Sequence, residues 1–166
     1  MPNNSATRSV VRRATTSDAE AIAALTEAAY AKYVPALGRM PQPMNTDYRQ
    51  VTAEHPVWLL CLDEQIAGVI VLMLEPEVAL IYSVAVSPAH QGQGLGRRLM
   101  DWAEEQARQA GYRAIRLYTN EHMTGNAAWY ARLGYEETRR EMVMGTTVIH
   151  MAKKFPAHLT DEAEHG

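Results

Sequence analysis

At 166 residues the chain is long enough for one domain with a complete core and too short for two. Its 47% hydrophobic and 21% charged residues are ordinary for a soluble globular protein, and a net charge of −3 with no Lys/Arg block argues against a nucleic-acid partner. The lone Cys61 excludes an internal disulfide. No apolar run approaches the roughly 18 residues of a membrane span, and the polar N-terminus lacks a signal-peptide core, so the expected location is cytoplasmic, away from membranes.

Residues 1–9 read as a flexible tail ahead of a short strand over 10–13. Thr16, Ser17 and Asp18 offer N-caps to a helix whose Ile22, Leu25, Ala29 and Tyr33 share one face, and Pro35 and Gly38 end it. Segment 38–44 has two prolines and no period, so it reads as a loop, and 46–54 as a short helix. Strands over 58–62 and 66–74 flank a turn at Asp63-Glu64-Gln65, an antiparallel hairpin with Cys61 as a buried, inert thiol. Pro76 precedes a strand over 78–86. A glycine-rich loop then leads to a helix over 96–110, stopped by Gly111. Residues 113–118 alternate as a half-buried strand, a helix over 125–133 ends at Gly134, and Gly145 separates strands over 135–144 and 147–154. Residues 156–166 read as a second flexible tail, leaving 10–155 as one domain.

The loop Gln91-Gly92-Gln93-Gly94-Leu95-Gly96 carries the chemistry. Glycines at a strand–helix junction let backbone approach a ligand closely, and the free N–H groups of the following helix favour an anion such as phosphate. A Walker A loop would need Lys-Ser or Lys-Thr where Arg97-Arg98 stand. A dinucleotide fingerprint fails too: counted from Gly92 the third glycine comes one position early, and no acid lies near Ala114.

The spelling Q-x-x-G-x-G, carried by Gln91, Gly94 and Gly96, resembles the acetyl-coenzyme A signature of the GNAT N-acetyltransferases. Val84-Ala85-Val86-Ser87-Pro88 resembles the strand end before that family's pyrophosphate loop. Asn126-Ala127-Ala128-Trp129-Tyr130-Ala131-Arg132-Leu133-Gly134-Tyr135 resembles its Asn, Tyr and Leu-Gly-aromatic block. The resemblance covers about residues 10–155. It implies an α+β fold: a mixed, mostly antiparallel sheet of six or seven strands, flanked by about four helices, with strands 78–86 and 113–119 splaying into a V-shaped cleft.

It also implies acetyl-coenzyme A as cosubstrate. Backbone N–H groups from Gln91 to Arg97, Gln93 and Leu95 included, would hold the pyrophosphate; Val84, Ala85 and Val86 would pair with the pantetheine arm, and a strand bulge near Val84 would free an oxyanion donor. Asn126 would contact the pantetheine or cap its helix. Tyr130, four residues on and on the same helical face, is the candidate general acid for the leaving thiolate. Many members place a basic Glu on strand 78–86, where this chain has Tyr82 and Ser83. Glu121 or His122 is the candidate base, histidine having an ordinary pKa of about 6.5. The six histidines show no HExxH or paired His-Cys spacing, so no metal is expected.

Acceptor recognition in this family falls to the first helices and the last hairpin. Here Tyr33, Arg39, Met44 and Tyr82 are candidates, with Tyr30, Met40, Tyr48 and the strands around 142–150. Aromatic and Met side chains around one Arg suit a small-molecule amine that also bears a carboxylate. The leading expectation is direct acetyl transfer to such an amine in a ternary complex. A protein N-terminal or lysine acetyltransferase, and a non-catalytic acyl-coenzyme A-binding module, are the alternatives. Edge strands of the family support homodimers.

Overall fold

The computed structural model describes residues 8–156. Within them seven strands form one sheet in the order β1 (Ser9–Arg13), β2 (Val57–Leu62), β3 (Gln65–Leu74), β4 (Ala79–Val86), β5 (Ala114–Asn120), β7 (Thr146–Lys154) and β6 (Glu136–Val143). Every neighbouring pair is antiparallel except β4 and β5. Residues 1–7 and 157–166, most of the two expected tails, lie outside the described residues; Ser9 already belongs to β1.

The central strands are near-continuous apolar runs because both faces of the sheet are covered. On one face Val57, Leu59, Cys61, Val69 and Val71 meet α1 (Ala19–Tyr30) through Ile22, Leu25 and Ala29, and α3 (Tyr48–Glu54) through Val51. On the other, Trp58, Leu60, Ile70 and Leu72 meet Leu99, Met100, Ala103 and Ala107 of α4 (Leu95–Gln109), and Tyr130 of α5 (Asn126–Arg132) joins the same cluster. The period of two along each strand thus sorts one apolar run into two cores.

The first helix ends sooner than its sequence suggests. α1 stops at Tyr30, a single 3-10 turn follows, and Pro35 stands in the first turn of the short α2 (Val34–Leu37). Proline lacks the N–H that a first turn leaves unpaired anyway, so Pro35 initiates where it was expected to terminate. Gly38, at φ 68°, closes α2. At the other end of α1, Asp18 accepts from the Thr15 N–H at 2.9 Å and pairs with Arg12 at 2.9 Å.

β4 and β5 part early. Their parallel pairing comprises Ala79 with Ile115 and Leu80 with Arg116. Beyond that point β5 follows β7 along its whole length, from Ala114 opposite Lys154 to Asn120 opposite Val148. β4 instead carries a bulge against β3: Val71 pairs with Ser83 and Leu72 with Ile81, so Tyr82 is the extra residue. A bulge bends its strand, and this one sits where the two strands separate. The expected splay is present.

One charge lies in the α4 core. Glu104, 5% exposed, accepts from Lys153 Nζ at 2.7 Å and Tyr135 Oη at 3.0 Å, while Lys153 also donates to the Leu133 carbonyl at 2.9 Å. The cluster ties α4 to β7 and to the end of α5.

Candidate active site

Two cavities meet where β4 parts from β5. The smaller, about 340 Å³, lies over the glycine loop. Gly92 and Gly94 have φ of 81° and 77°, the left-handed region that turns the chain sharply into α4. The first i→i−4 bond of that helix is from Arg98 N–H to the Gly94 carbonyl, so the N–H groups of Leu95, Gly96 and Arg97 have no intrahelical acceptor. A Cβ on Gly96 would come within 3.2 Å of Trp129 Cη2, so only glycine leaves this wall of the cavity unobstructed. Arg97, Lys32 and His90 add basic side chains around the same space. A polyanion fits this donor set.

The larger cavity, about 670 Å³, lies between β4, β5, the β6–β7 hairpin and the loop after α2. That loop is fastened to the sheet: Tyr118 Oη donates to Gln42 Oε1 at 3.3 Å, and Tyr82 Oη and Thr46 Oγ1 are 2.7 Å apart. Arg39 reaches the hairpin at Thr146 Oγ1, 3.5 Å away, and at Met144. On the hairpin side His150, 8% exposed, bonds Glu141 Oε1 through Nε2 at 2.9 Å. That hydrogen bond holds the Glu141 carboxyl below its ordinary range.

Four residues belong to both cavities: Tyr30, Val84, Asn126 and Tyr130. Tyr130 is 8% exposed and packs on Trp129 and Tyr135. Burial, then the neighbouring Tyr33, pushes its phenol well above the ordinary range, so it stays protonated as a donor. Asn126 is the first residue of α5; Gly125 occupies the N-cap position, so the capping role falls away. Its amide instead spans the junction, accepting from Tyr33 Oη at 3.2 Å and donating to Thr119 Oγ1 at 3.4 Å. Tyr30 Oη donates to the Val84 carbonyl at 3.2 Å, and Gln91 Nε2 donates to the Val86 carbonyl at 3.2 Å.

The anticipated residues therefore divide. Val84, Ala85, Val86, Gln91, Gly92, Gly94, Leu95, Gly96, Arg97 and Asn126 line the smaller cavity, whereas Gln93 sits in the loop but not in its wall. Arg39 and Tyr82 line the larger cavity; Tyr33 lines the smaller one, and Met44 lines neither. Glu121 and His122, the two candidate bases, line neither cavity. Both are about two-fifths exposed: Glu121 lies 3.7 Å from His122 Nε2 and accepts from Thr147 N–H at 3.3 Å. The turn that begins at Glu121 leaves the face on which Tyr118 and Asn120 stand. Glu141 and His150 were not singled out as a pair, and neither were Lys32, His90 or Trp129. Among the described residues no group of three or more His, Cys, Asp or Glu gathers as a metal site, and no helix is long and apolar enough to cross a membrane.

The model of the acetyltransferase (GNAT) family matches residues 22–135, which take in most of α1, strands β2 to β5, the glycine loop and α5. The chain belongs to this family. Among the relatives of this GNAT chain, an aminoalkylphosphonate N-acetyltransferase of Salmonella typhimurium is 40% identical over 58 residues, 35% of this chain and 38% of the relative. N-alpha-acetyltransferase 80 of Mus musculus is 37% identical over 62 residues, 37% of this chain and 18% of that protein. An uncharacterised N-acetyltransferase of Methanocaldococcus jannaschii is 38% identical over 69 residues, 42% of this chain and 30% of its own length. The matched segments thus span well under half of each of these relatives. Solved structures agree in fold over nearly the whole GNAT chain. The ribosomal-protein-S18-alanine N-acetyltransferase of Escherichia coli has a TM-score of 0.76 at 19% identity, covering 91% of this chain and 96% of that one. The PaiA N-acetyltransferase of Thermoplasma acidophilum, solved with coenzyme A, has a TM-score of 0.72 at 14% identity, covering 89% and 99%.

Proposed function

We propose that the protein transfers the acetyl group of acetyl-coenzyme A to the primary amine of a small molecule that also carries an anionic group, by direct attack in a ternary complex. The observation that carries this reading is the shared wall. A cavity suited to a polyanion and a second, separate cavity meet at Tyr30, Val84, Asn126 and Tyr130, so two substrates can touch there without either leaving its own site.

In this reading the N–H groups of the first turn of α4, with Arg97, hold the pyrophosphate of the cosubstrate, and the parted edge of β4 receives the pantetheine. The thioester supplies the activated acetyl group. The bulge at Tyr82 supports a free backbone donor near Val84 for the carbonyl oxygen. Tyr130, protonated and buried, donates to the leaving sulfur. Asn126 is held across the junction by Tyr33 and Thr119 and orients the arm.

The acceptor cavity favours a small molecule over a polypeptide. Its roof, the loop after α2, is fastened at Gln42 and Thr46, and Arg39 closes the side towards the hairpin. Arg39 supplies the positive charge for a carboxylate or phosphonate. The name of the Salmonella relative, an aminoalkylphosphonate N-acetyltransferase, is in keeping with such an acceptor. The test is thiol release from acetyl-coenzyme A with amino acids, 2-aminoethylphosphonate, polyamines and short peptides. An anion-bearing small amine should lead, and Arg39→Ala should raise its KM. Peptides turned over faster than every small amine would replace this reading with the protein acetyltransferase one.

A further inference from the structure

We propose that His150 is the general base that takes the proton from the acceptor's ammonium group, and that Glu141 is a positioning residue that fixes its ring. This rests on the reading of the larger cavity as the acceptor site.

The contact with Glu141 selects the tautomer of the neutral ring. A carboxylate only accepts hydrogen bonds, so the 2.9 Å contact between His150 Nε2 and Glu141 Oε1 places the proton on Nε2. Nδ1 of the neutral ring then carries the lone pair, and it has no hydrogen-bond partner among the described residues. The ring is buried in the wall of the larger cavity, tilted against Tyr118 at 5.8 Å between centroids. Backbone pairing holds this arrangement. His150 stands opposite Tyr118 on β5 and Arg139 on β6, while Glu141 stands opposite Val148, two residues from His150 on the same face. Diagonal neighbours at this spacing reach each other with long side chains.

The charged and titratable groups facing the ring are few. From β6 come Glu141 and Arg139, which lie 3.4 Å from each other; from β5 comes Tyr118; from the loop after α2 comes Arg39, which is turned to Thr146 and Met144. Among the described residues Glu141 is the one carboxylate in the cavity wall. The orienting carboxylate, the imidazole and an open nitrogen form the acid–base arrangement in which the carboxylate selects the tautomer and the ring moves the proton.

The step balances as follows. The acceptor's R–NH3+ gives one proton to Nδ1, making the ring cationic beside Glu141. The freed nitrogen lone pair forms the new C–N bond while the C–S bond of the thioester breaks. The nitrogen sheds a second proton as the sulfur gains one through Tyr130, leaving an amide and a thiol. His150 releases its proton to solvent.

The test compares two acceptors: 2-aminoethylphosphonate, an ammonium at neutral pH, and hydroxylamine, which is already neutral and needs no base. His150→Gln should lower turnover of the first about 100-fold or more, and that of the second by less than about threefold. Glu141→Gln should show the same selective loss, smaller in size. Equal losses on both acceptors, or none on either, would overturn the proposal. A second measurement needs no acceptor: nitrogen-15 ring signals of His150 should report the Nε2-protonated tautomer, and Glu141→Gln should weaken that preference. A neutral ring protonated on Nδ1 would overturn the assignment outright. A wild-type protein that releases no thiol with any amine strikes instead at the transferase reading, while the ring signals still decide the tautomer.

Discussion

Gly96→Ala separates folding from cosubstrate binding at the glycine loop. The new Cβ would sit 3.2 and 3.3 Å from Trp129 Cη2 and Cζ2 and 3.7 Å from a Val86 methyl, so the indole must yield by a few tenths of an ångström. Against that crowding, alanine gains up to about 1 kcal/mol of helix propensity over glycine. The terms oppose each other, and a residual of at most about 1 kcal/mol moves Tm by no more than roughly 2–4 °C in a chain of this size. Binding has no such compensation. The methyl stands beside the N–H groups offered to phosphate, and Trp129 leans on Tyr130 with ring centroids 5.1 Å apart. Loss of one hydrogen bond to a charged group costs about 1.5–3 kcal/mol, or roughly 10- to 150-fold in Kd. Calorimetric titration with coenzyme A and thermal unfolding of the same samples check both numbers. Gly94→Ala is the control: its Cβ meets nothing, but φ of 77° costs a side chain about 1–2 kcal/mol, so it should lower Tm without adding an obstruction against Trp129. An unchanged Kd for Gly96→Ala at an unchanged Tm would refute the placement of the pyrophosphate at this turn.

Tyr130→Phe keeps the ring packed and removes only the donor, so turnover should fall about 100-fold or more while coenzyme A affinity holds; full activity in steady-state kinetics would remove Tyr130 from the reaction. Lys153→Met strands the buried Glu104 carboxylate and should cost about 3 kcal/mol, the low end for a broken buried pair because Lys153 is 28% exposed. Glu104→Leu with Lys153→Met should restore much of that loss in urea unfolding. Asp18 is held at about 2 against an ordinary 3.8, chiefly by its hydrogen bond from Arg12. Its folded-state pKa is depressed, so its contribution is present above about pH 4 and is lost as pH falls from 3.8 towards 2. Asp18→Asn should flatten that part of the curve in acid unfolding.

The glycine loop was legible because its chemistry is local: six consecutive residues hold both the turn and the helix N-terminus. The strand–helix order was legible for the same reason, through apolar runs and their punctuation. The proline at 35 misled because the same missing N–H can stop one helix or sit in the first turn of the next, and the sequence alone does not say which. Glu141 and His150 were missed because their meeting depends on register. A two-residue turn at Met144 and Gly145, both at positive φ, pairs Val143 with Thr146, and counting outward from it brings Glu141 diagonally beside His150. That count was available once the turn was fixed. Glu121 and His122 have side chains suited to a base, but β5 ends at Asn120 and the turn that follows carries both away from the walls of the two cavities.

A splayed sheet carries a hazard that a closed one does not. Beyond Leu80 the side of β4 that faces β5 is an interior edge, a row of backbone groups as ready to template another chain as any outer edge. Two of its carbonyls are already occupied by side chains, Val84 by the Tyr30 hydroxyl and Val86 by the Gln91 amide. In the proposed reading a pantetheine amide would exchange each single bond for its own, whereas a foreign strand would have to displace both in register while passing between α1 and the glycine loop. The two side chains that would yield to the cosubstrate in the proposed reading therefore also cover this edge against a foreign strand.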